Sequence, residues 1–255
     1  MKHLLLFLII GCFTWACTAQ PSSTPNITQF SNTATPTATI TPTIVWFPPT
    51  ATTTPFPAPI ITPTADMRPK TGEILFEDDF SSQSGWTVTQ SQVGSVAYGN
   101  NELTIAIGET NAYLFSVREE PTFSDFFLEI TASPNLCKEL DEYGVLFRVS
   151  PAIDYYRYSL SCNGQIRVDR IISGQASSPQ PWILSGAVPP GAPSSSVLGI
   201  SAVGGMMKFF VNGQYQFSIQ DPLLTSGVVG VFARSTNNQA VTVNFSNLIV
   251  YEVIP

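Results

Sequence analysis

The chain has 255 residues, only 11% of them charged, and a formal net charge of −7. An acidic surface of this kind repels phosphate, which excludes strong nucleic-acid binding. The one histidine, His3, falls in a segment expected to be removed, so the mature chain has no means to build a Ser-His triad or a histidine-bearing zinc site.

The chain opens with "MKHLLLFLIIGCFTWAC". Lys2 and His3 precede an apolar run from Leu4, and small residues lead to Cys17. The run is too short and wrongly flanked for a mature spanning helix, so residues 1–16 read as a secretory signal peptide. Thr14-Trp15-Ala16-Cys17 resembles a bacterial lipobox. The resemblance implies cleavage before Cys17, acylation of that cysteine, and attachment to the outer face of the bacterial cell membrane. Thr14 stands where Leu is usual, and "IIGC" ending at Cys12 is a rival box after a shorter apolar run. Each buried CH₂ of an acyl chain contributes about 0.8 kcal/mol, so two or three chains anchor a protein stably.

Residues 17–71 read as a tether. Positions 18–71 hold 16 Thr and 11 Pro, with no charge before Asp66. Such a segment cannot bury a core and favours extended polyproline II. Its threonine density permits O-glycosylation. "TIVWFPP" around Trp46 is an apolar island within it.

From Gly72 to Pro255 the texture becomes short apolar-polar alternations between turn residues, such as "ELTIAIG", "YGVLFRVS", "QIRVDRII" and "MKFFVNG". Period-two patterns rich in β-branched and aromatic residues indicate strands. Asn163-Gly164 and Asn212-Gly213 each lie between two such runs, the strongest short hairpin signal. About a dozen strands without a good helix indicate an all-β, two-sheet antiparallel jelly-roll sandwich.

"FEDDFSSQSGW", "YGVLFRVSPAIDYYRYSLSCNGQIRV", "MKFFVNGQYQF" and the closing "VTVNFSNLIVYEV" together resemble concanavalin A-like lectin/glucanase jelly rolls. Among these the chain looks closest to laminin-G-like and 3-keto-disaccharide-hydrolase-type domains. That family spans lectins, hydrolases and modules of other roles, so fold alone leaves function open.

Register can be argued for the central hairpins. A turn at Pro151–Asp154 sets Val145, Phe147 and Val149 opposite Leu160, Tyr158 and Tyr156. A glycine bulge at Asn163-Gly164 then aligns Leu160 with Ile166 and Tyr158 with Val168. A one-residue slip would place Asp169 on the apolar face, so burial selects this register. The opposite face carries Arg148, Arg157 and Asp169, a set able to bind sugar hydroxyls or a uronic carboxylate. The same register brings Cys137 and Cys162 together. In an exported chain this pair reads as a disulfide, closing a loop of about 25 residues at about 3 kcal/mol.

Glu139 and Asp141 in "KELDE" have the spacing of glycosidase carboxylates, but the loop precedes its strand. The family 16 glucanases carry a third acid at the next alternating position, where Tyr143 stands here. No catalytic residue is therefore assigned. Glu129 on "FFLEITA" has no acidic partner at Thr131. Asp78 and Asp79, with Glu77 beside them and Asn244 and Asn247 in reach, form a candidate structural Ca²⁺ site. Trp86, Trp182 and Tyr113 are candidate sugar-stacking platforms. The expected function is a non-catalytic surface module, probing extracellular glycan from a lipid anchor. The alternatives are a glycoside-processing hydrolase of the same fold and a structural lipoprotein without a small ligand.

Overall fold

The computed structural model describes residues 66–254, apart from 152, 237 and 238. The expected signal peptide, Cys12, Cys17, Trp46 and the expected tether up to residue 65 lie outside the described residues.

Fifteen strands follow in chain order: β1 Lys70–Asp78, β2 Thr89–Gln90, β3 Gly94–Tyr98, β4 Leu103–Ile107, β5 Tyr113–Val117, β6 Phe126–Leu136, β7 Glu142–Val149, β8 Tyr155–Ser161, β9 Gln165–Ile172, β10 Gln175–Leu184, β11 Ser196–Val203, β12 Met206–Val211, β13 Gln214–Gln220, β14 Val228–Arg234 and β15 Val241–Ile254. They form two antiparallel sheets. The larger runs β13-β12-β11-β6-β15-β4-β3-β2, with β1 also on β15. The smaller runs β10-β9-β8-β7-β14-β5. β1 begins two residues ahead of the expected boundary at Gly72.

Two strands escape the sequence reading. β3 is "GSVAY", short and led by glycine. β10 is "QASSPQPWIL", whose Pro179 and Pro181 cannot donate to a ladder. It is the edge strand of the smaller sheet, and its register to β9 shifts on both sides of Gln180. An edge tolerates proline because one side of the strand needs no partner.

Period two explains the core. Tyr143, Val145 and Phe147 on β7 alternate inward with Tyr156, Tyr158 and Leu160 on β8. They meet Leu128 and Ile130 of β6, Leu198 and Ile200 of β11, and Phe209 of β12. The ring of Tyr158 packs tilted against Phe209 at 4.9 Å and is fully buried. The β8–β9 register matches the expectation, with Leu160 opposite Ile166 and Tyr158 opposite Val168. The β7–β8 register differs by two residues: Val145 faces Tyr158 and Phe147 faces Tyr156. A shift of two by itself moves no side chain to the other face, which is why the burial argument did not detect it.

The two hairpin turns differ. At Asn212-Gly213 both residues have positive φ, 51° and 74°, the two-residue turn that joins β12 to β13. At Asn163-Gly164 only Gly164 does, at 87°, giving the expected glycine bulge. Cys137 follows β6 as the chain leaves the larger sheet, and Cys162 follows β8 in the smaller one. Their Cα atoms are 5.9 Å apart and the disulfide staples that crossover.

Candidate functional site

The outward face of the smaller sheet carries the candidate site. Strand parity places Glu142, Gly144 and Leu146 of β7 there, beside Arg157, Ser159 and Ser161 of β8 and Gln165, Arg167 and Asp169 of β9. On the other flank β14 adds Gly230, Phe232 and Arg234, and β5 adds Tyr113, Phe115 and Val117.

One half of this face is an ion-pair network. Asp169 Oδ2 accepts from Arg157 Nη2 at 2.6 Å and Nε at 3.2 Å, and Arg167 Nε lies 3.0 Å away. Ser178 Oγ donates to Asp169 Oδ1 at 2.5 Å. Arg167 Nη2 donates to Glu142 Oε2 at 2.9 Å, and Arg234 Nη1 reaches Glu142 Oε1 at 3.4 Å. The guanidinium of Arg167 stacks over Trp182 at 4.4 Å, and that of Arg157 over Phe232 at 5.4 Å. Arg157 is 11% exposed and Asp169 3%, so this is a desolvated lattice and not a solvated ladder. Its one open cation is Arg234, 41% exposed.

The other half is apolar. β14 and β7 pair with a bulge: Gly230 faces Leu146 and Val228 faces Val149, so Phe147 and Arg148 share one partner, Val229. The extra residue reverses the parity beyond it. Val149 therefore turns outward and packs with Leu146, Phe232 and Val228. Together with Phe115, Val117 and Ile153 these valines wall a cleft of about 570 Å³, rimmed by Thr87, Thr122, Ser150, Ser226, Arg118 and Glu119. Phe115 is 39% exposed, and its ring lies 5.8 Å from Tyr113, over which Arg157 sits at 5.8 Å. The polar and apolar halves are thus one continuous surface. Gly227 makes the bulge possible: a Cβ there would lie 2.3 Å from the carbonyl carbon of Arg148.

The bulge also corrects the expectation for Arg148. Its φ is +52° and its side chain is fully buried. Nη1 donates to Leu224 O at 2.9 Å and Nη2 to Ser124 O at 2.8 Å. Burial pulls its pKa below the usual arginine value. Arg148 therefore binds no ligand on the sheet face. It ties together the loops carrying Ser124 and Leu224, which run into the two banks of the cleft.

Trp86 is likewise no platform. It is 5% exposed, packs on Phe80 at 5.4 Å, and donates through Nε1 to Asp78 at 2.9 Å. Asp78 also accepts from Arg118 at 2.7 Å and from the Phe80 amide at 2.8 Å. Asp79 accepts from the Ser81 amide. Asn244 is held by Glu102 and Thr104. Asp78 does not fit Ca²⁺, because both its oxygens already hold a guanidinium or N–H donors. Among the described residues no cluster of three His, Cys, Asp or Glu side chains could hold a metal.

Trp182 lies on the edge strand β10, with the guanidinium of Arg167 against its ring. Tyr113 is half-buried on the outward face, and burial raises its pKa well above the ordinary tyrosine value. Asp141 is fully buried; its carboxylate accepts from the backbone of Lys138 and Thr236, which makes it a loop anchor. Glu139 is exposed and pairs with its neighbour Lys138.

No family model and no curated protein matches the chain. Solved structures do. A carbohydrate-binding module, CBM66, from Bacillus subtilis aligns over 66% of this chain and 95% of its own at 16% identity, with a TM-score of 0.52. The fold they share is a two-sheet antiparallel jelly roll. A galectin-like protein of unknown function from Bacillus subtilis covers 73% of this chain and 99% of its own at 13% identity and a TM-score of 0.58. The Bacillus licheniformis β-glucanase covers 72% and 100% at 12% identity and 0.56. Identities this low make the likeness one of fold.

Arg167 and Glu142 were missed as site residues although simple parity puts them in phase with Asp169 and Arg157. Phe115, Val228 and Arg234 carried no such signal, since β5 and β14 reach β7 only through long-range pairing.

Proposed function

We propose that this protein is a surface lipoprotein, exported and anchored through Cys17, whose jelly-roll head is a non-catalytic glycan-binding module. The observation that carries the reading is the cleft beside the Arg157–Asp169 lattice. One of its walls is apolar and led by the half-open ring of Phe115. The opposite rim is hydroxyls, a carboxylate and a guanidinium. A pyranose has the same two characters, an apolar C–H face and a polar edge, and sites of this volume with few convergent polar groups are ordinary for small ligands. Structural likeness to a carbohydrate-binding module supports the class of ligand.

Hydrolysis draws no support from the acids of this face. Glu142 and Asp169 are both ion-paired with Arg167, so neither stands as a free acid or base beside the other.

The test is a screen of the purified chain against soluble and insoluble polysaccharides, repeated with Phe115→Ala. Binding by the parent that falls at least tenfold in the variant is expected. No binding to any polysaccharide, or binding indifferent to Phe115, would overturn the reading. For the anchor, Cys17→Ser should move the chain from the detergent phase to the aqueous phase on partitioning.

A further inference from the structure

A second pocket, of about 540 Å³, lies on the outward face of the larger sheet, where the chain enters β1. It is lined by Asp66, Arg68, Lys70, Phe127, Glu129 and Tyr251, among others. The register explains its shape. Tyr251 of β15 is opposite Phe127 of β6, and the rings stack at 6.2 Å. Two residues along β6, Glu129 projects to the same face. Its neighbour on β11 is Gly199, whose missing side chain makes room for the rings of Phe127 and Phe210, 5.8 Å from each other. The pre-strand segment Asp66–Pro69 forms the remaining wall, with Arg68 clasping Asp66 at 2.9 Å.

Glu129 is the anomaly in this pocket. It is partly buried, and its carboxylate makes no hydrogen bond or ion pair among the described residues. Burial raises its pKa, with Arg68 opposing only in part. The buried acids Asp78, Asp141, Asp169, Asp221 and Glu142 are each held by two or more donors. A carboxylate set into a wall of aromatic rings without a donor costs free energy unless something supplies one.

We infer that this pocket is a second saccharide site, on the face of the sandwich opposite the Phe115 cleft. The charge balance selects the class of ligand. Asp66 and Glu129 offset Arg68 and Lys70, so neither a free anion nor a free cation gains from the whole site. A neutral polyol gains from all of it. Its hydroxyls donate to Glu129 and accept from Lys70 or Arg68, while its C–H face lies against Tyr251. The class of ligand rests on the glycan reading above, but the site shares no residue with the first cleft. With a site on each face, a single head bridges two glycan chains, or two segments of one chain, across the thickness of the sandwich.

The experiment is amide chemical-shift mapping of the ¹⁵N-labelled chain, titrated with soluble oligosaccharides of β-1,3-glucan, mixed-linkage β-glucan and mannan, and with ethylammonium as a cation control. Shifts at Phe127–Glu129 and Tyr251 with at least one saccharide are expected. They should require at least tenfold more ligand in Glu129→Gln, the loss of a charge-assisted hydrogen bond, while shifts around Phe115 stay unchanged. Shifts confined to the Phe115 cleft would overturn the second site and leave the first. Shifts at Glu129 with ethylammonium but with no saccharide would overturn the ligand class. Silence at both sites would overturn both readings. Tyr251→Ala provides a second variant, expected to weaken the same shifts through loss of the platform.

Discussion

Replacing Asp169 by alanine should unfold this protein far more readily than the loss of a surface charge would. The carboxylate is 3% exposed; it accepts from Arg157 twice and from Ser178 once, and the Arg167 guanidinium lies 3.0 Å away as an ion pair. Arg167 keeps Glu142 as a second partner; Arg157 keeps none that is acidic. The variant thus leaves about one guanidinium desolvated and unpaired, and breaking a buried pair from one side costs about 3–5 kcal/mol. Arg157 and Arg167 retain an outer edge in water, 11% and 17%, so the lower figure, about 3 kcal/mol, applies. For a head of this size that is a fall in Tm of about 6–12 °C. The assay is urea denaturation followed by tryptophan fluorescence, with the parent, Asp169→Ala, Arg157→Leu and the double variant Arg157→Leu/Asp169→Leu. The double variant should recover most of the loss, because no uncompensated charge remains. A loss below about 1 kcal/mol for Asp169→Ala is what an exposed pair gives. That result would refute the reading of this face as a desolvated lattice.

Arg148→Met removes the donors of two carbonyls, Leu224 O and Ser124 O, at about 1–3 kcal/mol each. Urea midpoints should fall, and amide exchange at Phe123 and Gly227 should quicken as the banks of the cleft come apart. Cys137→Ser/Cys162→Ser opens a 25-residue loop and should lower stability by about 3 kcal/mol in the same assay. Glu129 gives a pH signature. Its folded pKa is raised by burial above its ordinary 4.5, so the native state holds that proton more tightly than the unfolded chain does. Its contribution is full below pH 4.5 and is lost as pH rises through the raised value. Glu129→Gln should flatten that stretch of the stability profile and be no less stable than the parent at pH 7, which separates its binding defect from misfolding.

Thirteen of the fifteen strands, the inward and outward faces of β8, β9 and β7 as far as Phe147, the two hairpins and the Cys137–Cys162 pair were legible in the sequence. Each follows from local rules: period two sorts side chains to one face or the other, and Asn-Gly supplies the positive φ that a tight turn requires. These rules tolerate a shift of two residues without consequence, and so the slipped β7–β8 register changed no face. They fail where a residue is inserted into a ladder. Arg148 has no glycine or asparagine to announce its left-handed backbone, and the bulge arises only because β14, eighty residues later in the chain, pairs with β7 and presents Gly227 against it. That one insertion buried the arginine expected to bind ligand and turned Val149 out to wall the cleft. The same dependence governs Phe115, Arg234 and Glu129. Their residue types were visible in the sequence, but their partners lie on strands distant in the chain. Those pairings are settled by which order of strands buries both sheets' apolar faces at once, a property of the whole sandwich and of no segment within it.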